Sequence, residues 1–170
     1  MCIRDSYPNS PTGAVASEDY FKKVIEFAHK HKVVVVNDGA HLVLTFSGKP
    51  LSFLSIDGAK EVGIETHSMS KGFHMIGWRL GFVAGNERLV SAFSDAKDNF
   101  DSGQNIAIQK AAAKALDNPD IPVQVRTKYK RRMEKLVAAL NDAGFNAKMP
   151  GGSYFPVSYT HLTLPTICSV

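Results

Sequence analysis

Residues 31–41 read His-Lys-Val-Val-Val-Val-Asn-Asp-Gly-Ala-His, and the four valines at their centre decide the fold. A continuous run of β-branched residues without polar alternation is typical of a parallel strand that is covered on both faces. A helical pattern precedes this run, with Ser17 as the expected N-cap and an apolar stripe at Phe21, Val24, Ile25, Phe27 and Ala28. A helix followed by such a strand predicts an α/β fold in which helices flank a mostly parallel sheet.

A short polar segment follows the valines directly. It reads Asn37-Asp38-Gly39-Ala40-His41 and lies at the carboxyl end of the predicted strand, where open α/β sheets bind their ligands. Asp38 is therefore a candidate binding residue, although an aspartate after a strand also serves as a turn former or a helix cap.

A second polar stretch, Thr-His-Ser-Met-Ser-Lys-Gly-Phe-His-Met-Ile-Gly-Trp-Arg at residues 66–79, lies between two apolar runs. This placement predicts that Lys71 is on a loop between two strands, where a rigid scaffold holds it and a ligand can reach it. Its amine suits Schiff-base chemistry. Hydroxyls at Ser68 and Ser70 and the planar guanidinium of Arg79 suit an anion such as phosphate. The alternative is a surface lysine beside a core arginine.

The spacing of Ser-Met-Ser-Lys at 68–71 and Met-Ile-Gly-Trp-Arg-Leu-Gly-Phe at 75–82 resembles the signature of class I/II aminotransferases, the fold-type-I enzymes of pyridoxal 5'-phosphate (PLP). The resemblance extends over residues 7–155. It implies that Lys71 binds PLP covalently, that Asp38 pairs with the ring nitrogen, and that Arg79 and Ser68 bind the phosphate. Ser70 is a further candidate for the phosphate or for orienting Lys71.

Two positions depart from the pattern of that family. Residues 7–13 resemble its Asn-Pro-Thr-Gly loop, whose asparagine contacts the ring oxygen of the cofactor, but Ser10 stands in place of this asparagine and Asn9 is the alternative donor. His41 stands where the family has a tyrosine that contacts the same oxygen. The resemblance implies that Ser10, Asn9 and His41 bind the cofactor through altered contacts.

Three further segments, at 48–54, 57–65 and 97–104, resemble family members that exchange an amino group between LL-diaminopimelate and 2-oxoglutarate in lysine and cell-wall biosynthesis. The resemblance thus implies an amino acid and a 2-oxo acid as substrates and a homodimer as the working form. Three alternatives remain open: an aspartate, alanine or aromatic aminotransferase, a PLP-dependent carbon–sulfur lyase, and an aminotransferase-like domain of a transcription regulator.

The resemblance also predicts the domain organisation. Residues 7–120 are expected to be part of the PLP-binding large domain, 121–143 an interdomain helix, and 144–155 the start of a smaller second domain, with a strand beginning at 145–148. The basic run at 128–132 indicates a solvated helix face and not a nucleic-acid site, because the apolar stripe of the helix continues through it.

The two ends of the chain share an unusual relation. A DNA string that encodes residues 1–6 has a reverse complement that encodes Val-Ser-Tyr-Thr-His, the residues at 157–161. Unrelated protein termini would rarely show this relation. Residues 1–6 and 156–170 are therefore hypothesised to be sequencing-adapter read-through that flanks an internal fragment, and they are excluded from the predicted fold.

Composition argues against several kinds of site and partner. Both cysteines, Cys2 and Cys168, lie in the excluded ends, so neither a disulfide framework nor a cysteine metal site is expected, which suits a cytoplasmic protein. The net charge of +4 does not favour nucleic acid as a partner. No apolar run approaches the roughly 20 residues that span a bilayer, so no membrane segment is expected.

Overall fold

The structure is a computed structural model that describes residues 1–157. Its centre is a four-stranded sheet in which β1 and β3 each pair with β2 in parallel, while β4 pairs with β3 in antiparallel orientation. The prediction of a mostly parallel sheet in an α/β fold is confirmed. In chain order the strands are β1 (Cys2–Ser6), β2 (Val34–Asp38), β3 (Gly63–Ser68) and β4 (Gly81–Gly85).

Helices and short 3₁₀ turns flank this sheet. The 3₁₀ turns cover Leu42–Leu44, Phe53–Ser55 and Ile76–Trp78. Within the described residues the α-helices are α1 (Glu18–His31), α2 (Ala59–Val62), α3 (Met69–Gly72), α4 (Glu87–Asp98), α5 (Ile106–Leu116) and α6 (Asp120–Asp142).

Helix α1 begins where its cap predicts. The Ser17 hydroxyl accepts the backbone amide of Tyr20 at 3.2 Å, which satisfies one of the free N–H groups of the first turn. Phe21, Ile25 and Ala28 are buried in a core cluster that also contains Val35 of β2. Phe27, which was predicted to lie on the same stripe, is 45% exposed and lies against the ring of His31.

Strand β2 is less enclosed than its sequence predicts. Val35 and Asn37 are fully buried, whereas Val34 and Val36 on the opposite face are only half-buried. The prediction of a strand covered on both faces is therefore wrong for the described part of the chain, because α1 and the 53–55 turn cover only the face of Val35.

Residues 1–6 were predicted to lie outside the fold. The structure instead places residues 2–6 in an edge strand of the sheet. Strand β1 pairs with β2 in a register that sets Ser6 opposite Asp38. The parallel ladder needs backbone groups more than particular side chains, which is why a polar sequence is accepted at this edge. The adapter origin of residues 1–6 stays a prediction. The same origin was predicted for residues 156–170, of which only 156 and 157 are among the described residues.

The segment after α6 does not begin a strand at 145–148, so that prediction is wrong. The Asn141 side chain instead holds Ala147 by two hydrogen bonds, of 2.8 and 3.2 Å. The chain then returns to the sheet: Gly151 O accepts the amide of Phe46 at 2.7 Å, and Gly152 bridges Thr45. The proposed division into domains stays a prediction.

Two observations concern α6 and membranes. Residues 128 and 130–132 of the basic run are exposed, as the predicted solvated helix face requires, while Tyr129 is half-buried.

Among residues 1–157, no helix combines the length and the apolar composition of a membrane span.

Candidate functional site

Asp38 lies at the carboxyl end of β2, as the sequence predicts. Its Oδ1 accepts the amide of Ala40 at 3.2 Å and the Thr66 hydroxyl at 3.5 Å, which orients the carboxylate. Its Oδ2 accepts the Arg4 guanidinium at 2.5 Å. The side chain of Asp38 is 23% exposed and that of Arg4 is 71% exposed, so the pair lies at the mouth of the site.

A polar cavity of about 430 Å³ opens beside Asp38. Asn9, Ser10 and His41, the three residues expected to contact the ring oxygen of a cofactor, line it together with Asp38. Asn9 Oδ1 accepts the Thr12 hydroxyl at 2.7 Å, which fixes the loop. The structure thus brings four of the predicted site residues to one cavity, and their roles there stay predictions.

Lys71 lies on α3, a single helical turn between β3 and β4, and not on an open loop. Ser68 caps this turn, because its hydroxyl oxygen accepts the amide of Ser70 at 3.1 Å. That bond leaves the Ser68 O–H free to donate. Ser70 is buried. A Cβ at Gly72 would lie 1.9 Å from Val43 Cγ2, so α3 is packed directly against the 42–44 turn.

The Lys71 side chain faces a second cavity, of about 390 Å³, whose lining includes Tyr129, Arg132 and Tyr154. Its Nζ lies 5.4 Å from the centroid of the Tyr154 ring, within the range of a cation–π interaction. The Tyr154 hydroxyl donates to the backbone carbonyl of Lys71 at 3.1 Å.

His41 lines the first cavity and contacts Tyr154, which lines the second. Its Nδ1 is 3.3 Å from the Ser153 hydroxyl, and its ring meets that of Tyr154 edge-on at 5.8 Å. Burial lowers the pKa of His41, the positive charge of Lys71 lowers it further, and the negative charge of Asp38 opposes this.

Arg79 is the predicted site residue that lies apart. Its backbone adopts a left-handed conformation with φ of 52°, and its guanidinium donates to Ile76 O at 3.0 Å. It lines a third cavity, of about 380 Å³, beside Phe93 and Lys97 of α4. The bond to Ile76 O uses one of the five N–H groups of the guanidinium and leaves the others available.

Sequence reasoning missed several residues that contact the predicted ones. Arg4 pairs with Asp38 from a segment that was excluded from the fold, and Ser153 and Tyr154 contact His41 and Lys71 from the far end of the chain. The Pro-Gly-Gly turn at 150–152 was the available signal for Tyr154, because it predicts a close return of the backbone. No cluster of three or more potential metal ligands occurs among residues 1–157.

These features define an α/β protein with an aspartate and a lysine at the carboxyl ends of two paired parallel strands. The chain matches the family described as aminotransferase class I and II over residues 5–163. It therefore belongs to that family, and the predicted resemblance is confirmed.

Curated relatives point to one subgroup of the family. The chain is 54% identical over 150 residues to the LL-diaminopimelate aminotransferase of Methanocaldococcus jannaschii, a match that covers 88% of this chain and 36% of that protein. It is 44% identical over 168 residues to the enzyme of the same name from Dehalococcoides mccartyi, with coverages of 95% and 43%. The chain thus spans about two fifths of the length of these relatives.

Solved structures agree on the fold. Apo-BacF from Bacillus subtilis superposes with a TM-score of 0.87 at 34% identity, over 91% of this chain and 40% of that one. A double mutant of the aspartate aminotransferase of Thermus thermophilus gives a TM-score of 0.87 at 25% identity, with coverages of 96% and 44%.

Proposed function

We propose that this chain is part of a PLP-dependent aminotransferase that exchanges an amino group between LL-diaminopimelate and 2-oxoglutarate. The observation that carries the proposal is that Asp38 at the end of β2 and Lys71 in the turn after β3 lie at the carboxyl ends of two paired parallel strands. An anion and an amine at the same edge of a sheet are the two groups that PLP chemistry requires of a protein. The names of the relatives support LL-diaminopimelate as the donor.

The residues present fit PLP. The polar cavity beside Asp38 offers a carboxylate for the ring nitrogen and the donors Asn9 and Ser10 for a ring oxygen. Lys71 lies on α3, the turn that follows β3, and Ser68 caps that turn. The Ser68 O–H is free to donate to a phosphate oxygen. Arg79 would add the remaining N–H donors of its guanidinium to this set.

The roles of the site residues can be stated one by one. Lys71 would hold the cofactor until the substrate amine displaces it, and the freed lysine amine would then take the proton from the substrate α-carbon and return it at the cofactor's aldehyde carbon. The Asp38 carboxylate would pair with the ring nitrogen and hold a proton there, and His41 would donate one hydrogen bond. When bound, PLP supplies the sink for the electron pair that the α-carbon retains. Ser68 would hold the phosphate.

Reductive trapping tests the proposal. PLP is incubated with the chain and reduced with borohydride, and peptide mass spectrometry is expected to find the label at Lys71. Lys71→Arg removes this label because a guanidinium does not condense with an aldehyde, whereas Lys60→Arg, at an exposed lysine, retains it. Label spread evenly over the lysines, with no preference for Lys71, would contradict the proposal.

Product analysis of the whole protein tests the reaction. Supplied with LL-diaminopimelate and 2-oxoglutarate, it is expected to release glutamate. Release of sulfide and pyruvate from a cysteine-derived substrate would instead indicate a carbon–sulfur lyase.

Replacement of Arg4 is expected to tighten PLP binding. Arg4→Val frees the Asp38 carboxylate, and because a pair of this exposure contributes up to ~1 kcal/mol, the dissociation constant should fall by about fivefold. An absorbance titration with PLP measures the change. Arg4→Lys keeps a cation at the position and is the matched control. Equal affinities for the valine variant and the unmodified chain would show that Arg4 does not compete for Asp38.

We also propose that the whole protein works as a homodimer in the cytoplasm. The family resemblance supports the dimer, and so do large apolar side chains left in solvent, such as Phe100 at 92% and Ile106 at 69% exposure. The lack of cysteine between residues 7 and 155 supports the location, because cytoplasmic proteins rarely use disulfides. Sedimentation of the whole protein measures its oligomeric state.

A further inference from the structure

We propose that Tyr154 is a positioning residue for Lys71: its hydroxyl holds the backbone carbonyl of the lysine and its ring holds the ammonium group. The inference rests on the proposed function only for the chemical role of Lys71. The contacts themselves are those of the chain without any ligand.

The first contact fixes the backbone. Helix α3 has only four residues, so its carbonyls have no partners within the helix and must find other donors. The Tyr154 hydroxyl donates to Lys71 O at 3.1 Å and satisfies one of them. Burial raises the pKa of Tyr154 to about 12, and the charge of Tyr129 adds to this, so the hydroxyl stays a donor throughout the neutral range.

The second contact holds the side chain. Lys71 Nζ lies 5.4 Å from the Tyr154 ring centroid, and aromatic neighbours fix that ring on two sides. Tyr129 meets it edge-on at 4.6 Å and His41 at 5.8 Å. A ring held in this way restricts the rotamers of the lysine side chain.

Two backbone hydrogen bonds fix the turn that precedes Tyr154. Gly152 N donates to Gly13 O at 3.1 Å, and Ser153 N donates to Leu44 O at 3.3 Å. A Cβ at Gly152 would lie 2.9 Å from Leu44 O, so the approach needs glycine. Because Ser153 also reaches His41 Nδ1, the two consecutive side chains hold two predicted site residues at once.

Other titratable groups surround Lys71 and remain constant in the test. His41 follows β2 and contacts the Tyr154 ring, while Tyr129 and Arg132 line the Lys71 cavity from α6. None of these changes between the Tyr154 variants compared below.

Site-resolved acylation tests the ring. The chain without PLP is labelled with acetic anhydride at one pH, and mass spectrometry reports the rate at Lys71. Loss of the ring in Tyr154→Leu is expected to raise this rate by about threefold, because the amine is no longer held over the ring. Tyr154→Phe keeps the ring and should keep the rate. Phe155→Leu, at an exposed neighbour, is the control.

A carbonyl ¹³C chemical shift tests the hydroxyl independently of the leucine variant. Tyr154→Phe removes the donor, so the Lys71 carbonyl resonance is expected to move upfield, whereas Phe155→Leu leaves it in place.

Two results would overturn the proposal. One is an acylation rate at Lys71 that does not change in Tyr154→Leu, because the ring then does not hold the ammonium group. The other is a Lys71 carbonyl resonance that does not respond to Tyr154→Phe. Neither measurement uses PLP, so a failure of reductive trapping at Lys71 would count against the proposed function and leave these outcomes readable.

Discussion

Replacing Glu65 with alanine is expected to lower the free energy of unfolding by about 3–5 kcal/mol, because it leaves buried donors without their shared acceptor. Glu65 is fully buried on β3. Its carboxylate accepts Asn37 Nδ2 at 2.8 Å, the Ser52 hydroxyl at 2.7 Å, Phe53 N at 2.7 Å and His67 Nε2 at 2.9 Å. These bonds tie β2, β3 and the 53–55 turn together next to Asp38.

Urea unfolding measures this loss. Glu61→Ala removes a carboxylate that is 72% exposed and is the matched control, expected to change stability little. Similar midpoints for the two alanine variants would show that the buried network does not stabilise the sheet.

The same network predicts a dependence on pH. Burial raises the pKa of Glu65, but the hydrogen bonds from His67, Ser52 and Asn37 together outweigh burial and leave the pKa lowered. A carboxyl whose pKa is lower in the folded chain stabilises it above the unfolded pKa, and this contribution is lost as the pH falls through the folded value. The stability advantage of the unmodified chain over Glu65→Gln should therefore be constant near neutral pH and shrink in acid.

Gly72→Ala is expected to cost about 1–3 kcal/mol of stability, as is typical of an overpacked core. The new Cβ would lie 1.9 Å from Val43 Cγ2, so α3 or the 42–44 turn must move. Because Lys71 precedes this residue, the shift should also reduce reductive trapping at Lys71. Urea unfolding and the trapping yield measure the two effects.

A second substitution at Val43 can remove the clash that Gly72→Ala creates. Val43→Ala removes the methyl groups in the way, so the double variant Val43→Ala/Gly72→Ala should be more stable than the sum of the single changes predicts. Gly77→Ala meets nothing within 4 Å and serves as the control. Additive losses in the double variant would mean that Gly72 is required for a reason other than its contact with Val43.

Local patterns determined the secondary structure and part of the site. The Ser17 cap, the valine run and the placement of Asp38 after β2 depend on residues within a few positions of one another, and the structure has all three. The resemblance to the family rests on the motifs at 68–71 and 75–82, which are likewise local. The strand predicted at 145–148 does not form, for a non-local reason. A strand needs a partner strand, and the pattern of four residues does not show whether one is present.

Only the tertiary structure decided which of these side chains meet. Tyr154 contacts Lys71 across 83 positions and Arg4 contacts Asp38 across 34, while Arg79, close to Lys71 in sequence, is bonded to Ile76 O and faces α4. A residue's neighbours in sequence determine its backbone conformation, because those preferences are local. Its partners across the sheet depend on how the elements pack, and packing is a property of the whole chain.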